Sequence, residues 1–532
     1  MSHRVEATHA ASLQNSHRAR QLLAAWFVGL IAAVALGAIA SPAWGQAAAG
    51  KPQYDVMKYQ PNWFTEKSIV NRIKQIRSQI VSDPAQLSEQ KDFFVKIYQN
   101  IFASMTDPAE FANLQPRRAE VMKDIYNAAR RGNTQVSRGL SIMSFQQCKA
   151  IAQGNYYPGA RINAVFMIGE LNDREPNSLE KKAPIPMQAA LPLLLEIVED
   201  AKYDDGLRVA AIQGIQRHAS LNAERWKPEL QDKVADLMIA TAQESAPKDR
   251  NLEAHGWVQM LAINTLVSLK NPRRVDQVAK LVMELPTKED SSQMALVYAA
   301  RATPKIEIPK EFKPQADAVL KSWATQIVGS IAREAKRIED LEKPRPKASM
   351  MGMGSGEMGM MSGPEGYDMG GMEMGMGMEM GMGMGMPGAT AAKPQTVEII
   401  LARRMLNDVI ESFHLGLTGT RAKTDPARVS KGLVANLSDE KEKADAVRLV
   451  ALIDEVKEGV NDTMISKNLE YAEKLRELEA KLQAFVNPDA AADPKPGNNA
   501  SPFFDGPFSS APPALNRTEP NVASRPKAAG QN

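Results

Sequence analysis

Three stretches of this chain carry one pattern. Arg161, Ala164 and Ile168 read R-x2-A-x3-I, Arg208, Ala211 and Ile215 read the same, and Gln259, Ala262 and Leu266 repeat it with Gln for Arg and Leu for Ile. The three alanines stand 47 and 51 residues apart, each about the length of one two-helix unit with its loops. In the middle copy, Asp204 or Asp205 stands where a helix cap belongs, and Gly206 costs little beside it. Leu207, Ala211 and Ile215 then recur at i, i+4 and i+8, with Ala210 and Gly214 alongside. That is a narrow apolar stripe of small residues, which lets a neighbouring helix approach closely. Apolar segments able to serve as partner helices lie between the copies, at Pro186 to Ala201 and Pro228 to Gln243. Each helix pair then has an apolar face it cannot bury alone, so the units are expected to stack. Arg138, Ser141 and Phe145 read as an earlier, degenerate copy.

These residues resemble HEAT-like (armadillo-type) helical repeats. The likeness is carried by Asp204, Asp205, Arg208, Ala211 and Ile215, with Arg161, Ala164, Ile168 and Gly169 in the preceding unit. It spans roughly residues 135 to 310 and implies a polar ladder of Asp and Arg along the inner helices. Arg161 and Arg208 fit such a ladder, whereas Gln259 departs from it. The expected fold class is all-α: an α-solenoid-like stack of helical hairpins followed by a smaller helical hairpin or bundle, with a disordered linker and tail. A helical bundle with accidental periodicity is the alternative architecture.

A chain of 532 residues is too long for one compact core, and its composition divides it. Residues 1–47 read as a signal peptide, with Arg18 and Arg20 before an apolar run from Leu22 to Ala40 and small residues beyond Ser41-Pro42. The run approaches the length that spans a bilayer, so an uncleaved anchor is the other reading. Both readings export the body of the chain to the periplasm, the cell envelope or the medium. After a lead-in at 48–64 comes a helical domain at 65–343. Its first stripe is Ile69, Ile73, Ile76 and Ile80, and a heavier one holds Phe94, Ile97, Tyr98, Ile101 and Phe102. Residues 344–394 are a linker dominated by Met and Gly, without a period able to define a face, and are expected to be disordered. A second helical segment at 395–486 ends in Leu475, Leu478, Leu482 and Phe485, heptad-like for under two heptads. A tail rich in Pro, Ala and Asn fills 487–532.

The chemistry-bearing inventory is thin. Cys148 is the single cysteine, so an intramolecular disulfide is impossible, and a buried apolar role is expected for it. Beyond the leader only His218, His255 and His414 remain, without the spacing of a zinc helix. His218 continues the Ala211/Ile215 face and reads as a satisfied inner-helix histidine. No enzyme activity is expected. Lys plus Arg number 65 against 62 Asp plus Glu, a balance that argues against a nucleic-acid surface. In solenoids one helix of each pair lines the binding face. Arg161, Arg208 and Gln259 are therefore the candidate contacts for a protein or cell-envelope partner, and the same side chains could instead tie neighbouring units together.

One feature has its own ligand chemistry. Met374, Met376, Met378, Met380, Met382, Met384 and Met386 alternate with Gly or Glu. Thioethers are soft ligands suited to Cu(I), so copper handling is the alternative function and Cu(I) the one cofactor it would require. The other reading of the same tract is a flexible tether.

Overall fold

The structure, a computed structural model, describes residues 53–488 apart from 84–85, 178–179, 249, 289–290, 310–311, 344–394, 424 and 426–427. The leader, the Met/Gly linker and nearly all of the tail therefore lie outside the described residues. So does the expected disorder of linker and tail. The contacts given below all lie within one unit that ends at Val486.

The described chain is predominantly helical. Short α1 (Asn62–Thr65) leads into α2 (Lys67–Ser82), whose Ile73, Ile76 and Ile80 are buried as the stripe requires. The lead-in before it is pinned to α3 (Gln86–Ser104): the Met57 amide donates to Thr106 Oγ1 (2.8 Å) just beyond that helix, and the Gln60 amide to Asn100 Oδ1 (2.6 Å). Then follow α4 (Leu114–Arg130), α5 (Thr134–Gln153) and α6 (Pro158–Glu170). Strand among the described residues is confined to the α6–α7 connection, where β1 (Asn172–Arg174) pairs antiparallel with β2 (Ile185–Pro186). Next come α7 (Ala190–Glu199), α8 (Asp205–Asn222), α9 (Pro228–Gln243), α10 (Leu252–Leu269), α11 (Val275–Glu284) and α12 (Gln293–Ala302). The long α13 (Ala316–Glu342) precedes the linker, and α14 (Val397–Thr418), short α15 (Leu433–Asn436), α16 (Glu440–Val460) and α17 (Asn468–Val486) follow it.

The three pattern-bearing segments are α6, α8 and α10. They pack in succession, α6 on α8 and α8 on α10, and the series continues through α12 to α14. Behind them, α5 packs on α6, α7 on α8, α9 on α10 and α13 on α14. Arg138, Ser141 and Phe145 belong to α5, the partner of α6, rather than to this row. Small residues set its spacing. A Cβ added to Gly169 on α6 would stand 2.8 Å from the Cα of Gly214 on α8, so these two backbones touch. The α10–α12 step repeats the device with Gly256 against Ser292, and the α12–α14 step with Gly416 against Ala300.

The C-terminal helices join the same apolar core. α17 packs along α13, and α14 packs on both α12 and α13. Trp323 of α13 is fully buried against Phe413 of α14, ring centroids 5.7 Å apart. Polar ties cross the same boundary: Arg301 reaches Ser412 Oγ (2.8 Å) and the Asp408 carboxylate, and Arg476 Nε meets Glu339 Oε1 at 3.0 Å. Asp439 caps α16, its Oδ1 accepting from the Lys441 and Glu442 amides.

Candidate functional site

Arg161, Arg208 and Gln259 take up one position each on α6, α8 and α10, and each is engaged within the chain. Arg161 Nε donates to the Ala152 carbonyl (3.1 Å), and its Nη1 stands 3.6 Å from Asp204 Oδ2. Asp204 also caps α8, its Oδ1 accepting from the Leu207 amide (3.0 Å), so one carboxylate starts a helix and ties it to the preceding one. Arg208 Nη2 meets Glu244 Oε2 at 3.0 Å, beyond the end of α9, and its Nη1 lies 3.8 Å from Asp205 Oδ1. The Asp205 carboxylate in turn holds the Arg250 guanidinium. Gln259 Nε2 donates to the Ala242 carbonyl at 3.0 Å.

His255 completes this network. Arg250 Nη1 donates to His255 Nδ1 at 2.7 Å, which leaves the ring proton on Nε2 to be given to the Glu244 carbonyl, also at 2.7 Å. Both ring nitrogens are used within the chain, so the ring has no free lone pair for a metal. Asp205, Arg208, Glu244, Arg250, His255 and Gln259 thus fasten the end of α9 between α8 and α10, and the charges within the set balance. A shallow groove of about 400 Å³ opens beside it, lined by Val198 and Glu199 of α7, Arg208, and Leu237, Ala240, Thr241 and Gln243 to Glu244 around the end of α9.

The remaining histidines differ. His218 is buried on α8, yet its Nε2 has no hydrogen-bond partner among the described residues, which corrects the expectation of a satisfied ring. Burial, and then the neighbouring Arg217 charge, push its pKa down to about 4. His414 is buried on α14 with Nδ1 2.8 Å from the Thr420 carbonyl and Nε2 3.3 Å from Asp454 Oδ1 of α16. Cys148 is buried, and desolvation raises its thiol pKa far above the ordinary range, the opposite of what a nucleophile needs. No group of three or more His, Cys, Asp or Glu among the described residues is arranged to hold a metal ion. Met374, Met376, Met378, Met380, Met382, Met384 and Met386 lie outside the described residues.

Large apolar side chains exposed among the described residues include Val56, Phe111, Leu341, Met464 and Leu469, and two further such features lie on the helices of the row itself. Trp257 on α10 is 47% exposed, whereas His255, Gly256, Val258, Gln259 and Met260 around it are buried. Gly256 faces α12 and Gln259 faces α9. The 100° step per residue then turns Trp257 away from α9, onto the open side of the row. The second feature is the stripe Val397, Ile400, Leu401 and Met405 on α14, exposed by 65%, 52%, 48% and 57%. The repeat pattern marks only the face carrying Gln259, Ala262 and Leu266. Trp257 stands two positions from Gln259, a spacing that puts the two on different faces of the helix without saying which face is covered.

No family model matches the chain, nor does any curated protein or any solved structure. No helix among the described residues is long and apolar enough to cross a membrane.

Proposed function

We propose that this chain is an exported HEAT-like scaffold that binds a protein or cell-envelope partner through the open side of its helix row, with Trp257 at the centre of the contact. The leader pattern at 1–47 supports export, and the repeated R-x2-A-x3-I unit supports a solenoid of stacked helical hairpins. The Arg161–Asp204 and Arg208–Glu244 pairs support the ladder reading of the arginines, because their hydrogen-bonding capacity is directed at neighbouring helices.

The observation that carries the proposal is the half-exposed Trp257 on a helix whose apolar residues from Val258 to Leu266 are buried. A large aromatic surface left in water costs free energy that a partner recovers by covering it, and Trp is among the residues that dominate binding energy at interfaces. The test is capture from an envelope extract by wild type, Trp257→Ala and Arg208→Ala, each with its melting midpoint measured. Trp257→Ala should weaken capture by roughly tenfold or more with an unchanged midpoint. Arg208→Ala should melt earlier and still capture. The reverse result, with Arg208→Ala losing its partner at full stability, would move the contact to the Arg208 groove and end the proposal for Trp257.

A further inference from the structure

We infer that the apolar stripe on α14 is a docking site for this chain's own methionine-rich segment, Ser349 to Pro387. The inference concerns the far end of the row and does not rest on partner binding at Trp257. Val397, Ile400, Leu401 and Met405 share one face, opposite the buried Ile399, Ala402, Leu406 and Ile410. Arg404 stands exposed among them, without an ion pair among the described residues, while the nearby Asp408 is held by Arg301. The stripe therefore asks for an apolar occupant that carries negative charge.

The segment that precedes it has that chemistry. Ser349 to Pro387 holds more than half of the chain's 28 methionines, together with Glu357, Glu365, Asp368, Glu373 and Glu379 and no basic residue. Unbranched thioether side chains adapt to irregular apolar surfaces. Position favours it as well, because both ends of the intervening chain are fastened beside the stripe. Asn468 Nδ2 donates to Glu342 Oε1 (2.7 Å) at the end of α13, and Asn468 Oδ1 accepts from Thr396 Oγ1 (2.5 Å) at the cap of α14. Arg337 also reaches the Glu398 carbonyl at 3.3 Å. Met386 stands nine residues before Gln395, a reach of about 30 Å at full extension, against about 12 Å from Val397 to Met405 along the helix. A segment tethered at both ends next to its site is present at an effective concentration of order millimolar. The four side chains of the stripe offer on the order of 400 Å², well under the roughly 800 Å² per partner of a stable dimer, so a second copy would have to cover ground beyond the stripe.

The test uses the full chain and Nile red as a probe of uncovered apolar surface, with mass from light scattering and helicity from circular dichroism. One variant replaces every methionine from Met350 to Met386 with serine at constant length, and a second adds Leu401→Glu and Met405→Glu. Serine replacement should raise dye fluorescence severalfold at wild-type mass and helicity, and the added glutamates should abolish that rise. Should the glutamates disturb folding, Leu401→Gln with Met405→Gln repeats the second arm. Dye binding by the serine variant no higher than wild type overturns the inference. So does a wild-type dimer that falls to monomer on Leu401→Glu, which would make a second copy the occupant. An outside ligand as occupant would appear as equal dye binding by wild type and the serine variant, both reduced by the glutamates.

Discussion

His218 is the residue at which burial acts most directly on charge. Its ring is buried on α8 with Nε2 unmet, and its pKa falls from 6.5 to about 4. Between those values the unfolded chain binds a proton that the folded chain refuses, so stability is complete above pH 6.5 and is lost as the pH drops toward 4. The full loss is about 3 kcal/mol, and about 2 kcal/mol of it is present at pH 5. Urea denaturation of wild type and His218→Gln at pH 7.5 and pH 5 reads the effect. The wild type should lose about 2 kcal/mol more than the variant between the two conditions, and an equal loss in both would mean that the ring is hydrated in the folded state. The continuation of the Ala211/Ile215 face predicted the burial of His218 from sequence. The missing partner was not legible there, because it depends on what α7 and the α6–α7 connection bring against that turn.

At the scale of the helix, the contact between α6 and α8 is set by Gly169 and Gly214. Arg217 of α8 reinforces it, donating to the Gly169 carbonyl (3.1 Å) and to Asn172 Oδ1 (2.6 Å). Any Cβ on Gly169 must push backbone against backbone. Gly169→Ala should therefore cost about 1–3 kcal/mol of stability even though alanine is the better helix former. Gly206→Ala makes the contrast, since its Cβ would meet side-chain atoms and no backbone, the flexible Cδ1 of Ile162 at 2.6 Å and Ile162 Cγ1 and Asp204 Oδ1 at 3.3 Å, and a change within about 0.5 kcal/mol is expected. Urea midpoints of the two variants check the pair, and a Gly169→Ala protein as stable as wild type would show that the row is not spaced by these glycines. This much was readable in advance: small residues at Ala210, Ala211 and Gly214 announce close approach. The sequence does not mark out Trp257, because an apolar run such as GWVQMLAI hides which of its members is turned outward.

At the scale of the molecule, α13 is the shared wall. Val319, Trp323, Ile327, Ile331 and Ile338 are buried along its length, and α14 and α17 supply much of that cover. An apolar stripe in a sequence reports that a face is covered, but not by what. The pairings Arg301–Asp408 and Arg476–Glu339 join residues more than a hundred positions apart and leave no local trace. A chain ending at Lys343 should therefore expose a core face and lose several kcal/mol. Melting followed by tryptophan fluorescence and by circular dichroism should give coincident single transitions in the full chain and an earlier, broader one in the truncated form. Two well-separated transitions in the full chain would instead mark the C-terminal helices as an independently folding part.

The clamp at Asn468, which holds Glu342 and Thr396 at once, has a consequence for what counts as the backbone of this protein. Covalent continuity between α13 and α14 is not what keeps them together, so inserting residues into the intervening stretch adds only about 0.6 kcal/mol of closure entropy per doubling of its length. A peptide bond severed there would leave two polypeptides locked as one body, and new termini could be opened at that point by joining the old ones elsewhere. The length of that stretch is thus uncoupled from the register of the helices on either side, which the Asn468 tie holds.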